Sequence, residues 1–184
     1  PPPPPPPPSN PPRHPPHLHP TLRRQRQMCI RDSNKPNINK FKHVKFGNNV
    51  LIGKNIKCGK NTVIGSNTII QSNVVIGNDC VIGSGVIIKN SILGNRVVIQ
   101  DGCKIGQKGF GFIPLKDKNI KFPHIGKVII NDNVEIASGC TLDRGSVDDT
   151  VIGKNTYLDN QVHLAHNVKI CLLYTSPSPR DRYG

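Results

Sequence analysis

The sequence predicts an all-β fold, a parallel β-helix built from hexapeptide repeats, and three observations carry that prediction. From Val50 to Ile88 an aliphatic side chain returns every sixth residue, at Ile52, Ile64, Ile70, Ile76, Ile82 and Ile88, with Cys58 in the remaining place. A second modest side chain stands two residues before each, at Val50, Ile56, Thr62, Thr68, Val74, Cys80 and Val86. Glycine and asparagine fill the intervals, as in Gly53-Lys54-Asn55, Gly59-Lys60-Asn61 and Gly65-Ser66-Asn67. Neither helical nor simple strand periodicity gives that spacing. A six-residue repeat is the signature of stacked coils that share one apolar interior.

The spacing follows from a triangular coil with three flat sides and three corners, so that about eighteen residues bring the chain back to the same face one coil higher. Ile52, Ile70 and Ile88 are then expected to stack. Each buried isoleucine contributes about 1.5–3 kcal/mol. Coils roughly 4.8 Å apart pair their backbones along the stack. At the corners, Gly and Asn tolerate left-handed or tight backbone conformations at little steric cost.

Composition agrees with a thin interior. Of 184 residues 35% are hydrophobic and 4% aromatic, and Trp is absent, which is too little apolar bulk for a thick layered core. The formal net charge is +14. A basic chain draws attention to acidic partners, nucleic acid among them. The lysines recur at repeat corners, however, as Lys54, Lys60, Lys154 and Lys169, which is also the pattern of a solvated face. No nucleic-acid partner is expected. Six cysteines are present without a C-x-x-C pair, and Cys58, Cys80, Cys103 and Cys140 fall on interior phases, where they read as small buried hydrophobes. Free thiols suit a reducing compartment, and no apolar run is long enough to span a membrane, so a cytoplasmic protein is expected.

In chain order, residues 1–33 open with eight prolines and carry no periodic apolar pattern, so they are expected to be disordered. An SH3-type ligand is the alternative for the proline run. Met28-Cys29-Ile30-Arg31-Asp32-Ser33 and residues 172–181 resemble translated sequencing-adaptor remnants, which makes 1–33 and 171–184 non-native tails on this reading. The repeat domain is then 34–170, expected to be a truncated fragment. Its period slips by one residue at Leu93 and resumes at Ile99 and Ile105. It vanishes over 107–127, a loop holding Phe110, Phe112, Phe122 and His124. Loops of that length are usually functional or disordered. Phe110 and Phe112 are expected either to offer an exposed apolar contact or to pack on the outer wall. The period returns at Ile130, Ile136 and Leu142, breaks over 143–149, and closes with Ile152, Leu158, Leu164 and Ile170. Seventeen units, between five and six coils, are counted in this way.

Acid–base residues converge only in D-N-Q-V-H-L-A-H-N (159–167). Leu164 points inward, so His166 lies at a corner facing outward, where an imidazole can meet a substrate or a neighbouring subunit. Asp159 stands one side of the triangle earlier and is a candidate to orient it, since paired His and carboxylate is the usual general-base arrangement. A plain surface histidine is the alternative. A metal site at His163 and His166 lacks a third ligand, and none is expected.

The G-F-G-F run (109–112), P-H-I-G-K-V (123–128), V-E-I (134–136), D-R-G-S-V-D-D-T-V-I-G (143–153) and the 159–168 stretch together resemble the UDP-3-O-acylglucosamine N-acyltransferases of lipid A biosynthesis. That resemblance implies a left-handed parallel β-helix, a homotrimer, and sites in clefts between subunits. It implies transfer of a 3-hydroxyacyl group from acyl carrier protein to the 2-amino group of UDP-3-O-(3-hydroxyacyl)glucosamine. No cofactor is implied beyond the carrier's phosphopantetheine. His166 falls on the catalytic base, with Asp159 and Asn160 as orienting or substrate-contacting residues and Phe110, Phe112 and His124 as loop contacts. His163 has no assigned role, and an oxyanion donor is implied in a coil beyond His166. A related O-acyltransferase acting on UDP-N-acetylglucosamine and a non-catalytic β-solenoid binding module are the alternatives.

Overall fold

The computed structural model describes residues 41–175. The proline-rich expectation at 1–33 and residues 176–184 of the C-terminal tail lie outside the described residues. Strands are numbered in chain order. One parallel sheet stacks β1 (Val44–Phe46), β4 (Thr62–Ile64), β7 (Val81–Ile82), β10 (Val98–Ile99), β15 (Glu135–Ile136) and β18 (Tyr157–Leu158). A second stacks β2 (Leu51–Ile52), β5 (Ile69–Ile70), β8 (Ile87–Ile88), β11 (Lys104–Gln107), β16 (Thr141–Asp143) and β19 (His163–Leu164). The third stacks β3 (Lys57–Cys58), β6 (Val75–Ile76), β9 (Ser91–Leu93), β14 (Val128–Ile130), β17 (Thr150–Ile152) and β20 (Lys169–Ile170). Successive strands visit the three sheets in turn, which is a parallel β-helix of six coils among the described residues.

The expected stacking is present: Ile52 pairs with Ile70 and Ile70 with Ile88, and the ladder continues through Ile105, Leu142 and Leu164. Ile88, Ile105 and Leu142 are fully buried. The second interior position of the repeat is equally dry, with Val74, Cys80, Val86, Val97, Cys103 and Cys140 all at 0% exposure. Among the described cysteines all are free thiols, and burial pushes the Cys58 thiol up to about 11. It stays neutral and behaves as a small apolar group.

Three sequence expectations need correction. The count of seventeen units misses one, because Phe46 occupies the interior phase six residues before Ile52 and opens the first coil on β1. Its aromatic ring disguises the aliphatic beat.

The corners divide their labour differently from the expectation. Asn49, Asn55, Asn61, Asn67 and Asn73 hold the left-handed backbone, with φ between 55° and 64°. The glycine two residues before the first four of these serves close approach instead: a Cβ on Gly53 would lie 2.4 Å from the amide nitrogen of Ser72 in the next coil. Stacked asparagines also bond one another, Asn49 Nδ2 donating to Asn67 Oδ1 at 3.0 Å and Asn133 Nδ2 to Asn155 Oδ1 at 2.9 Å.

Residues 171–175 follow the coil path. The Leu173 N–H donates to the Lys154 carbonyl, and Tyr157 bridges to Thr175. An unpaired strand edge such as β18 recruits whatever chain follows it.

The aperiodic segment 107–127 carries an antiparallel hairpin, β12 (Phe112–Pro114) against β13 (Asn119–Lys121). Phe110 is 88% exposed and Phe112 45%, so these rings do not lie on the prism wall. They meet edge to face, with centroids 5.4 Å apart.

Candidate active site

Both breaks in the period leave the prism at the same corner. The hairpin segment departs after β11, the 144–149 run after β16, and His166 follows β19. All three strands belong to the second sheet and all three segments lead into the third, so they stack along one edge of the prism.

The 144–149 run fastens the returning arm of the hairpin. Arg144 Nε donates to the Gly126 carbonyl at 2.6 Å and Arg144 Nη2 to the Ile125 carbonyl at 2.7 Å. The N–H groups of Ile125 and Gly126 donate to the Ser146 carbonyl, and the Lys127 N–H to Asp149 Oδ1 at 2.6 Å. Asn167 locks the run from the coil beyond: its Oδ1 accepts from the Ser146 N–H at 2.6 Å and its N–H donates to Thr150 Oγ1 at 3.0 Å. Lys169 Nζ reaches Asp148 Oδ2 at 2.7 Å, which holds that carboxyl below the usual carboxylate range and raises the ammonium. The D-R-G-S-V-D-D-T stretch is therefore a clasp, built from side chains and backbone of three successive segments.

The clasp places His124 over His166. The two rings lie 5.0 Å apart, centroid to centroid, with planes 77° apart. His166 sits outside the apolar core at the corner, as its phase predicts, but it is half-buried, because the hairpin segment covers it. Gly109 is the covering residue: a Cβ there would lie 2.8 Å from both His124 Nε2 and His166 Cδ2. His166 Nδ1 is buried without a hydrogen-bond partner, which leaves Nε2 as the nitrogen able to meet a reactant. His124 is 7% exposed, with Nδ1 at 3.0 Å from the Phe122 carbonyl and the Phe122 ring against its edge.

Asp159 and Asn160 are not brought to His166. They occupy the corner between β18 and β19, whereas His166 follows β19. Asp159 Oδ1 accepts from the Asn160 N–H at 2.7 Å, and Asn160 Oδ1 accepts from the Ser138 N–H at 3.0 Å. Phe110 and Phe112 stand exposed in the segment that covers the histidines.

Sequence reasoning also missed the partner of His163. His163 Nε2 lies 3.1 Å from Asp143 Oδ2, and Asp143 is 6% exposed. The parallel register sets His163 beside Thr141, two residues before Asp143 on the strand below. Counting register across the 144–149 insertion would have found it. Among the described residues, no group of three or more His, Cys, Asp or Glu is placed to hold a metal ion.

The fold and this corner define a hexapeptide-repeat solenoid with a covered, outward-facing imidazole. Residues 55–90 match the family described as bacterial transferase hexapeptide (six repeats). The chain is 54% identical over 86 residues to the UDP-3-O-acylglucosamine N-acyltransferase of Rhizobium rhizogenes (strain K84 / ATCC BAA-868), a match covering 47% of this chain and 24% of that protein. It is 53% identical over 87 residues to the enzyme of that name from Rhizobium johnstonii (strain DSM 114642 / LMG 32736 / 3841), covering 47% and 25%. The matched stretch thus spans about a quarter of the length of these curated relatives. Among solved structures, WeeI from Acinetobacter baumannii AYE superposes with a TM-score of 0.52 at 14% identity, over 84% of this chain and 62% of that one, which is a likeness of fold.

Proposed function

We propose that this chain is part of an acyltransferase that moves a 3-hydroxyacyl group from acyl carrier protein to the 2-amino group of UDP-3-O-(3-hydroxyacyl)glucosamine. The observation that carries the reading is the match, at 54% and 53% identity, to enzymes named for acylation of an amine on that sugar nucleotide. The geometry of His166 fits the chemistry. Its Nε2 removes a proton from the amine as nitrogen attacks the thioester carbonyl. The C–N bond forms, the C–S bond breaks as the tetrahedral oxyanion collapses, and the proton passes to the departing thiolate. A placed base contributes about 10²–10⁴-fold.

Two features of the surface support the partners of this reading. Lys116, Lys118 and Lys121 are exposed on the hairpin of the segment that covers the histidines, which supports docking of an acidic carrier protein. Leu51, Val63 and Val81 face outward from two sheets at 57%, 38% and 45% exposure, and a homotrimer would cover such surface. The assembly works in the cytoplasm, where acyl carriers and nucleotide sugars are found together.

The test offers acylated carrier protein with either the amino sugar nucleotide or UDP-N-acetylglucosamine. Amide formation that falls about 10²–10⁴-fold in His166→Ala is expected. Preference for the hydroxyl acceptor, or equal turnover in the variant, overturns the assignment.

A further inference from the structure

The corner holds two buried imidazole nitrogens with no partner, on rings whose centroids lie 5.0 Å apart. A carbonyl oxygen can only accept a hydrogen bond, so at 3.0 Å from the Phe122 carbonyl His124 Nδ1 carries the hydrogen. In the neutral ring Nε2 then holds the lone pair. That Nε2 is buried and unpartnered, in a side chain 7% exposed. His166 presents the complementary problem. If its Nε2 is to accept a proton, its Nδ1 must carry one, and Nδ1 is also buried and unpartnered. A buried donor without an acceptor is costly, as is the converse.

We infer that His124 is a positioning residue for His166: its Nε2 accepts the hydrogen bond of His166 Nδ1–H, directly or through one water, and so fixes the tautomer whose Nε2 is free to take a proton. The rings are 5.0 Å apart, and rotation of either about its Cβ–Cγ bond changes the separation of the two nitrogens. Among the described residues, no carboxylate bonds either ring. Asp159 is engaged at another corner with Asn160, and Asp143 is engaged with His163. Arg144 and Ser146 hold the 125–126 backbone next to His124, which fixes the orienting ring from the clasp side. An imidazole here does what a carboxylate does in the usual base–orienter pair. The reaction served is that of the preceding reading, whereas the tautomer itself is independent of it.

The experiment is a long-range ¹H–¹⁵N spectrum of the full chain labelled at histidine, with the His166 signals identified by their loss in His166→Ala. In the wild type, neutral His166 is expected with Nδ1 protonated and Nε2 bare. His124→Gln, whose amide oxygen still accepts, keeps that pattern, and His124→Phe shifts it toward the Nε2–H form. Turnover in His124→Phe should fall about 10–100-fold through kcat, a part of what the base supplies, with KM little changed and recovery in His124→Gln. A wild-type His166 that carries its hydrogen on Nε2 overturns the proposal, as does a tautomer indifferent to His124→Phe. Should that variant unfold, the wild-type and His124→Gln spectra still decide. If acyl transfer is absent while the tautomer responds to residue 124, the assigned reaction fails and the positioning relation stands.

Discussion

Arg144 ties the returning arm of the hairpin to the prism, its guanidinium donating to the carbonyl oxygens of Gly126 at 2.6 Å and Ile125 at 2.7 Å. Neither end of this relationship belongs to the repeat. It is what two interruptions of the period build when they stack at one corner.

Arg144→Ala should loosen that arm without melting the coils. Hydrogen bonds to a charged donor contribute about 1.5–3 kcal/mol each, less in a half-exposed setting. The Ile125 and Gly126 amides, which donate to the Ser146 carbonyl, are expected to exchange about 10-fold faster or more, as each ~1.4 kcal/mol is a factor of ten. Exchange at the interior strand amides should stay as it is. Uniformly faster exchange across all three sheets would show that the clasp supports the whole prism rather than the site.

At Gly109 the constraint is steric. An added Cβ would sit 2.8 Å from His124 Nε2 and 2.8 Å from His166 Cδ2, so Gly109→Ala must displace one ring or lift the segment. Acyl transfer is expected to fall about 10-fold or more, within the span a well-placed base controls. The loss of stability should stay at about 1 kcal/mol, the ordinary cost of a point substitution, since the clash lies outside the apolar core. Unchanged turnover would mean that the segment stands clear of His166 in solution.

For the core, Ile136→Ala removes a side chain at 0% exposure from a ladder with Ile99 and Leu158 as its neighbours. Urea unfolding should show a loss of about 2–5 kcal/mol. Lys118→Ala at the exposed end of the hairpin is the control, with about 0.5 kcal/mol or less. Equal effects would contradict a load shared along the interior ladder.

The repeat itself was legible in the residues because its physics is local. Ile64, Ile70, Ile76 and Ile82 recur at a fixed spacing, and a fixed spacing closes a coil whatever lies above or below. Phe46 was missed because it obeys the phase but not the residue type. The outward placement of His166 followed from Leu164 two residues earlier, which pairs inward with Leu142. The likeness of the 143–150 run to an acyltransferase motif was also visible, though not what that run does.

What the residues alone determined, then, is the coil: a six-residue beat dictates which side chains turn inward and which remain at corners. Tertiary structure alone decided the neighbours at the corner. Gly109, His124 and Arg144 lie in irregular segments, whose excursions break the register between them and His166. Their meeting depends on two excursions leaving the same edge and on Asn167, one coil further, closing the clasp through Ser146. Asp159, adjacent to the site in sequence, ends at a different corner for the same reason, since on a triangular coil a few residues carry the chain to another edge while whole coils return it.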